Sequence, residues 1–272
     1  MSEQKIDVRV IQLEVTGRET QESRVKRAID LIYQQKGADL ILLPEMWKCG
    51  FHFGENYYST AEFLDGPTIQ LLSKAAKDLG AYIFGGSIVT WEGEQHYNTS
   101  LLFDREGRLI SHYHKMHLFG YRSIEAKLLD AGDQVVVADT DFGRVGLSTC
   151  YDLRFPEQYR AMLDLGARIF LVTADWPEVR AAHWRLFNQV RAMENQCFVI
   201  SCNAASNPMA RRPYAHCGQS MVVAPDGTIL AEAQMTETVL SCVIDPAQVK
   251  EVRENFPVLK DRVSIEGYTG KL

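Results

Sequence analysis

No stretch of the 272-residue chain approaches the ~18 consecutive apolar residues that a membrane-spanning helix requires. Basic runs are also missing and the formal net charge is −6, so neither a membrane nor a nucleic-acid partner is expected. The opening MSEQKIDVRVIQLEV has no charged start followed by a long apolar stretch, so it does not read as a signal peptide. Six cysteines (Cys49, Cys150, Cys197, Cys202, Cys217 and Cys242) include no C-x-x-C pair and follow no regular spacing. In a chain of this length they read as free thiols in a reducing compartment, and a cytoplasmic location is expected.

What is present is a hydrophobic content of 46%, enough for a sizeable core. Strand patterns fall at Val8 to Val15, Asp39 to Leu43, Ala81 to Val89, Asn98 to Phe103 and Arg108 to His114. Helical patterns run from Glu19 to Gln35, and from Pro67 to a stop at Gly80. The second half repeats this order. Strands at Arg168 to Thr173 and Cys197 to Asn203 flank a helix from Arg180 to Gln196, and a hairpin over Pro225-Asp226-Gly227 joins Ser220 to Ala224 with Thr228 to Ala231. SLLFDREGRLI at Ser100 and SMVVAPDGTIL at Ser220 keep the serine and the turn glycine in register. A final strand, Thr238 to Ile244, and a short helix, Pro246 to Phe256, precede a polar tail.

With no linker between the halves, the expectation is one α/β domain over residues 1–272. It would be an α-β-β-α sandwich of two packed mixed sheets with outer helices. A single doubly wound sheet is the alternative, which the hairpins disfavour. The tail, about residues 257–272, has no core of its own and is expected to pack on a neighbouring surface or on a partner subunit.

The chemistry centres on GRVGLSTCYDLRFPE, Gly143 to Glu157. A short alternating strand ends at Cys150, a polar break follows, and Pro156 opens a helix that stops at Gly166. Strand, sharp turn and helix lift one side chain from a sheet edge and leave backbone N–H groups facing a developing negative charge. Position alone leaves two readings of Cys150, a nucleophile or a small buried core residue.

Other residues bear on that choice. Glu45 follows the apolar run Leu42-Leu43-Pro44, at the sheet edge where α/β folds place ligands. Lys115 follows the strand ending HYH, and Glu125 lies in the loop after it. Each alone reads as a surface charge. Together with Cys150 they meet the needs of amide cleavage, which takes a thiol, a base that later returns a proton, and a fixed positive charge for the oxyanion. A second carboxylate can hold the lysine charged.

PEMW at Pro44, HKMHLFG at His114 and STCYDLRFPE at Ser148, in that order, resemble the carbon–nitrogen hydrolase (nitrilase) superfamily. YIFGGSIV, LLDAGD, HWRLFNQVRAMENQ and GQSMVVAPDGTIL extend the likeness over nearly the whole chain. The resemblance implies an α-β-β-α sandwich that pairs as a homodimer or higher homo-oligomer. It also implies a Glu-Lys-Cys triad at Glu45, Lys115 and Cys150, with Glu125 in support and the Tyr151 backbone N–H at the oxyanion. The chain looks most like the ω-amidase branch, whose members release ammonia from the terminal amide of 2-oxoglutaramate or 2-oxosuccinamate. Sister branches act on N-carbamoyl amines, other small amides or nitriles with the same residues. No metal or organic cofactor is implied.

A carboxylate-bearing substrate is best held by an arginine fork, for which Arg154, Arg180 and Arg122 stand near loop edges. Phe51, Tyr57, Tyr121 and Trp176 are candidates to wall a small pocket. His112, His114 and His117 permit a metal reading, but no second ligand cluster is evident at metal spacing, and they are expected to pack around Lys115. A non-catalytic binding protein of the same fold is the rival from another class.

Overall fold

The computed structural model describes residues 5–16, 19–206 and 215–263. Its first sheet is entered by β1 (Ile6–Gln12), α1 (Gln21–Tyr33) and β2 (Leu40–Leu42). Next come α2 (Pro67–Leu79) and the strands β3 (Tyr82–Glu92), β4 (Gln95–Phe103) and β5 (Leu109–His114). The second sheet holds β6 (Val137–Thr140), β7 (Gly143–Thr149) and, after α3 (Pro156–Asp164), β8 (Ile169–Ala174). After α4 (Ala181–Asn195) it adds β9 (Phe198–Asn203), β10 (Met221–Val223) and β11 (Ile229–Glu232). β12 (Thr238–Ile244) and α5 (Ala247–Asn255) end the described fold.

The strand orders are β12-β1-β2-β3-β4-β5 and β11-β10-β9-β8-β7-β6. β1, β2 and β3 are parallel and followed by two antiparallel strands, as are β7, β8 and β9. Each series is flanked by one antiparallel edge strand, β12 beside β1 and β6 beside β7. The repeat expected from the sequence is therefore a repeat of topology.

Alternation along the strands builds the layers. Val8, Val10, Leu40 and Leu42 face Leu147, Ile169, Leu171 and Ile200 between the sheets. Their neighbours Ile11, Ile41 and Leu43 point outward onto α1 and α2, through Ala28, Ile32, Leu72 and Ala76. Phe170 and Val172 do the same for α3 and α4, through Met162, Trp184 and Ala192. Burying each such aliphatic side chain stabilises the fold by roughly 1.5–3 kcal/mol.

Two details differ from the sequence reading. β6 had no forecast, because an edge strand pairs on one side only and exposes alternate residues, leaving a weak apolar signal. The helix expected from Arg180 begins at Ala181, after a 3-10 turn at Glu178–Arg180. As for the tail, Val258–Asp261 form a 3-10 turn and Arg262 pairs with Asp164 of α3 at 2.6 and 3.0 Å. This part therefore packs on its own chain, while residues 264–272 lie outside the described residues.

Candidate active site

The carboxyl ends of β2, β5, β7 and β8 meet where the two sheets face each other, and Glu45, Lys115, Cys150 and Asp175 leave the strands there. Bonds across the seam hold the edges in register. Thr173 Oγ1 donates to the Leu43 carbonyl at 3.0 Å, the Glu45 N–H to that of Ala174 at 3.3 Å, and Ser100 and Thr149 share a hydroxyl bond at 2.8 Å. Glu45 is lifted by a tight turn in which Met46 adopts φ 49° and its N–H donates to Ser87 Oγ at 2.9 Å. Gly86, at φ 63° in the bulge of β3, leaves room for this turn. A Cβ there would stand 2.1 Å from the Pro44 carbonyl oxygen.

Lys115 is completely buried between two buried carboxylates. Its Nζ lies 2.8 Å from Glu45 Oε1 and 2.9 Å from each oxygen of Glu125. Asn98 Nδ2 donates to Glu45 Oε1 and to Glu125 Oε1, both at 2.8 Å. The N–H groups of Asp175 and Phe119 complete the pair, at 2.9 Å to Glu45 Oε2 and 2.7 Å to Glu125 Oε2. Burial works against the ammonium, but Glu125 and Glu45 outweigh it and hold Lys115 charged, well above the usual lysine range. Burial and the Glu125 charge, opposed by Lys115, push the Glu45 carboxyl up to about 6.

Cys150 stands at the bend between β7 and a 3-10 turn, Cys150–Arg154, with φ 48°. A non-glycine residue in this left-handed conformation is strained and must be held by its surroundings. Asp152 holds it. Its carboxylate accepts from the Thr149 N–H (2.8 Å), Tyr113 hydroxyl (2.7 Å) and His117 N–H (3.2 Å), with His117 Nδ1 at 2.7 Å. Burial and the Glu45 carboxylate in hydrogen-bond contact raise the Cys150 thiol well above its usual range, against the pull of Lys115. The resting pair is thus a protonated thiol beside a buried carboxylate.

A cavity of about 420 Å³, including its open mouth, reaches the Cys150 thiol. Phe51, Arg154, Trp176 and Arg180 line it with Tyr151, His52, Phe119, Asp175 and Pro177. Tyr57 is not among the lining residues. Its ring packs with Met46, Cys49 and Val89, and its hydroxyl donates to the Phe51 carbonyl at 2.5 Å. Tyr121 is 60% exposed beyond the cavity, stacked by Arg122 and Arg180. The histidines do not surround Lys115. Alternation along β5 turns His112 and His114 away from it toward Glu92, at 3.9 and 3.3 Å, while His117 pairs with Asp152.

The sequence reading missed Asn98, Asp152, Asp175, His52 and His216. Asn98 carried a signal, since Asn-Thr-Ser interrupts the apolar centre of a buried strand. His52, Asp175 and His216 carried none, because they come from three distant segments. Asp175 Oδ1 lies 2.8 Å from His216 Nε2 and 3.7 Å from His52 Nε2. Burial opposes both charges of the Asp175–His216 pair, yet their attraction lowers the carboxyl and raises the imidazole, while burial lowers His52.

An α-β-β-α sandwich with a cysteine, a lysine and two glutamates at its seam defines a nitrilase-like hydrolase. Residues 7–254 match the family model for carbon–nitrogen hydrolases. The chain is 37% identical to the 2-oxoglutaramate amidase of Paenarthrobacter nicotinovorans, over 95% of this chain and 90% of that protein. With the Bacillus subtilis (strain 168) 2-oxoglutaramate amidase it shares 34%, over 94% and 97%. Saccharomyces cerevisiae Nit3, of branch 10 of the nitrilase superfamily, superposes with a TM-score of 0.87 at 29% identity, over 96% and 97% of the two chains. The chain belongs to the carbon–nitrogen hydrolase family, and with it to the amide-hydrolysing enzymes.

Proposed function

We propose that the chain hydrolyses the terminal amide of a small carboxylic acid, of the 2-oxoglutaramate or 2-oxosuccinamate type, to the acid and ammonia. One observation carries the substrate class. Arg154 and Arg180 both line the cavity beside Cys150, and among the described residues neither is paired with a carboxylate. Burial and the neighbouring Arg180 charge lower Arg154, whose guanidinium lies over the Trp176 and Phe187 rings at 4.9 and 5.2 Å. An anionic substrate relieves that repulsion, and a guanidinium fork fits a carboxylate. The similarity to 2-oxoglutaramate amidases supports the same class.

In this reading Glu45 takes the thiol proton as Cys150 Sγ attacks the amide carbon. The carbonyl electrons move to oxygen, where the Lys115 ammonium and the Tyr151 N–H face the negative charge. Collapse breaks the carbon–nitrogen bond, Glu45 gives its proton to the departing nitrogen, and ammonia leaves a thioester on Cys150. Water, deprotonated by Glu45, attacks the thioester and regenerates the thiol. Glu125 and Asn98 keep Lys115 and Glu45 in place.

The chain is further proposed to work as a single domain in the cytoplasm, a location supported by six free cysteines. Pairing with a second copy through the outer face of α4 is supported by Leu186 and Met193, 58% and 54% exposed and seven residues apart on that helix. Among the described residues no helix is long and apolar enough to cross a membrane.

The test is ammonia release from 2-oxoglutaramate, succinamate, glutamine, an N-carbamoyl amine and a nitrile, with Cys150→Ala as control. Arg154→Ala and Arg180→Ala should raise KM for the carboxylate-bearing amides by about tenfold or more, and change that for an uncharged amide little. Equal turnover of charged and uncharged amides would overturn the substrate class. Full activity of Cys150→Ala would overturn the mechanism.

A further inference from the structure

We propose that His52, Asp175 and His216 form a binding site for a divalent cation of borderline softness, zinc foremost, in the same cavity as the Cys150 thiol. Their ligand atoms, two imidazole nitrogens and one carboxylate oxygen, lie within 4.8 Å of one another. The two separations from Asp175 Oδ1, 2.8 and 3.7 Å, bracket the ligand spacing of about 3.3 Å in a tetrahedral shell with zinc–ligand bonds of about 2.0–2.1 Å. Two histidines and one carboxylate leave a coordination position open, and His52 and Asp175 place it in the cavity wall beside Cys150.

Hydrogen bonding supports a ligand here. His216 and Asp175 are 5% and 4% exposed, yet His216 Nε2 and both Asp175 carboxylate oxygens make no well-aligned hydrogen bond. His216 Nε2 and Asp175 Oδ1 have each other at 2.8 Å as a charged contact without hydrogen-bond alignment, and Asp175 Oδ2 is left without a hydrogen bond, where buried polar atoms ordinarily make one. His216 Nδ1, by contrast, lies 3.3 Å from the Ala205 carbonyl, which fixes the ring so that Nε2 faces Asp175. A ligating histidine is ordinarily held in this way through its other nitrogen. Backbone bonds from Cys217 N to Trp176 O (2.9 Å) and from Glu178 N to Ala215 O (2.8 Å) lock the segments carrying Asp175 and His216 together. The His52 ring lies parallel to that of His216, centroids 5.6 Å apart. The second group of this composition, Glu92 with His112 and His114, has His114 Nδ1 held at 2.8 Å by Thr99 Oγ1, but it lies on an open face, with side chains 48%, 39% and 18% exposed, and none of its ligand atoms is a buried one left without a hydrogen bond.

Such a cation excludes substrate from the cavity and shields the thiol. The site itself rests on geometry alone, and only its effect on turnover rests on the proposed amidase activity. The test is equilibrium dialysis of the full-length chain against Zn²⁺ with metal analysis, alongside the rate of Cys150 alkylation by iodoacetamide. The wild-type chain and Cys150→Ala should each hold one zinc per chain. His52→Ala, a change at a partly exposed side chain that the fold tolerates, should weaken binding by about 10–100-fold. Zinc should slow alkylation in the wild type and not in His52→Ala, while His112→Ala should behave as the wild type. His216→Asn, checked for folding by circular dichroism, should lose the zinc as well. The proposal is overturned by any of three results. These are absence of stoichiometric zinc, binding abolished in Cys150→Ala or His112→Ala while unaffected in His52→Ala, or bound zinc that leaves alkylation unchanged. A chain that binds zinc yet releases no ammonia from any amide would sink the amidase reading and leave this site standing.

Discussion

Lys115 Nζ and Glu45 Oε1 lie 2.8 Å apart with neither side chain exposed to solvent, and Glu125 closes the other side of the ammonium. The lysine is thus both the positive charge at the site and the partner that makes two buried carboxylates tolerable. Lys115→Met should lower kcat by at least the 10²–10³-fold expected for one lost oxyanion donor. It should also destabilise the fold by about 3–5 kcal/mol, since it leaves buried charge uncompensated. Ammonia release and urea unfolding measure the two effects. A variant as stable as the wild type would contradict the arrangement.

The Glu45 carboxyl, raised to about 6, sets the acid side of the pH profile. A base must be ionised to take the thiol proton, so kcat/KM should be level above about pH 6 and fall about tenfold per pH unit below it. Because the Glu125 charge is one of the causes raising Glu45, Glu125→Gln should move this limb to lower pH. A limb that moves to higher pH would contradict the assignment.

Gly86→Ala should disable the enzyme without touching a reacting group. The added methyl would meet the Pro44 carbonyl at 2.1 Å and force residue 86 to keep φ 63° with a side chain. A loss of more than 1 kcal/mol in stability is expected. The backbone that aims Glu45 moves with it. The check is a thermal melt beside the rate of ammonia release, the second falling more than the first explains.

Asp152→Ala should release the bend that holds Cys150 at positive φ. Three donors lose a buried acceptor, with a penalty of about 1–3 kcal/mol for each one left unpaired. Cys150 should relax from its strained conformation, seen as altered alkylation kinetics in a chain that still folds below its lowered Tm. Unchanged kinetics would show that the bend is held by something other than Asp152.

The layers of the fold were legible because two physical periods coincide in the chain. Val8, Val10, Leu40 and Leu42 alternate with Ile11, Ile41 and Leu43, so a sheet covered on both sides was readable from apolar spacing. Cys150 was legible as the residue at a strand-turn-helix junction, and Glu45 and Lys115 as charges that follow strand ends. The supports were not. Asp152 reads as one more polar residue of a turn, and His216 meets Asp175 only through tertiary packing. Tyr57 shows the converse case, an aromatic in a loop beside the site whose ring is spent on a core of its own.

Glu45 and Lys115 come from the first of the two repeated halves and Cys150 from the second. On the proposed mechanism neither half carries a complete set, and reactivity is a property of their docking. A chain severed in the connection between β5 and β6 would yield two fragments, each inert alone, whose mixture should recover ammonia release only as the halves reassociate. Enzymatic turnover then becomes a direct reporter of how tightly one sheet grips the other.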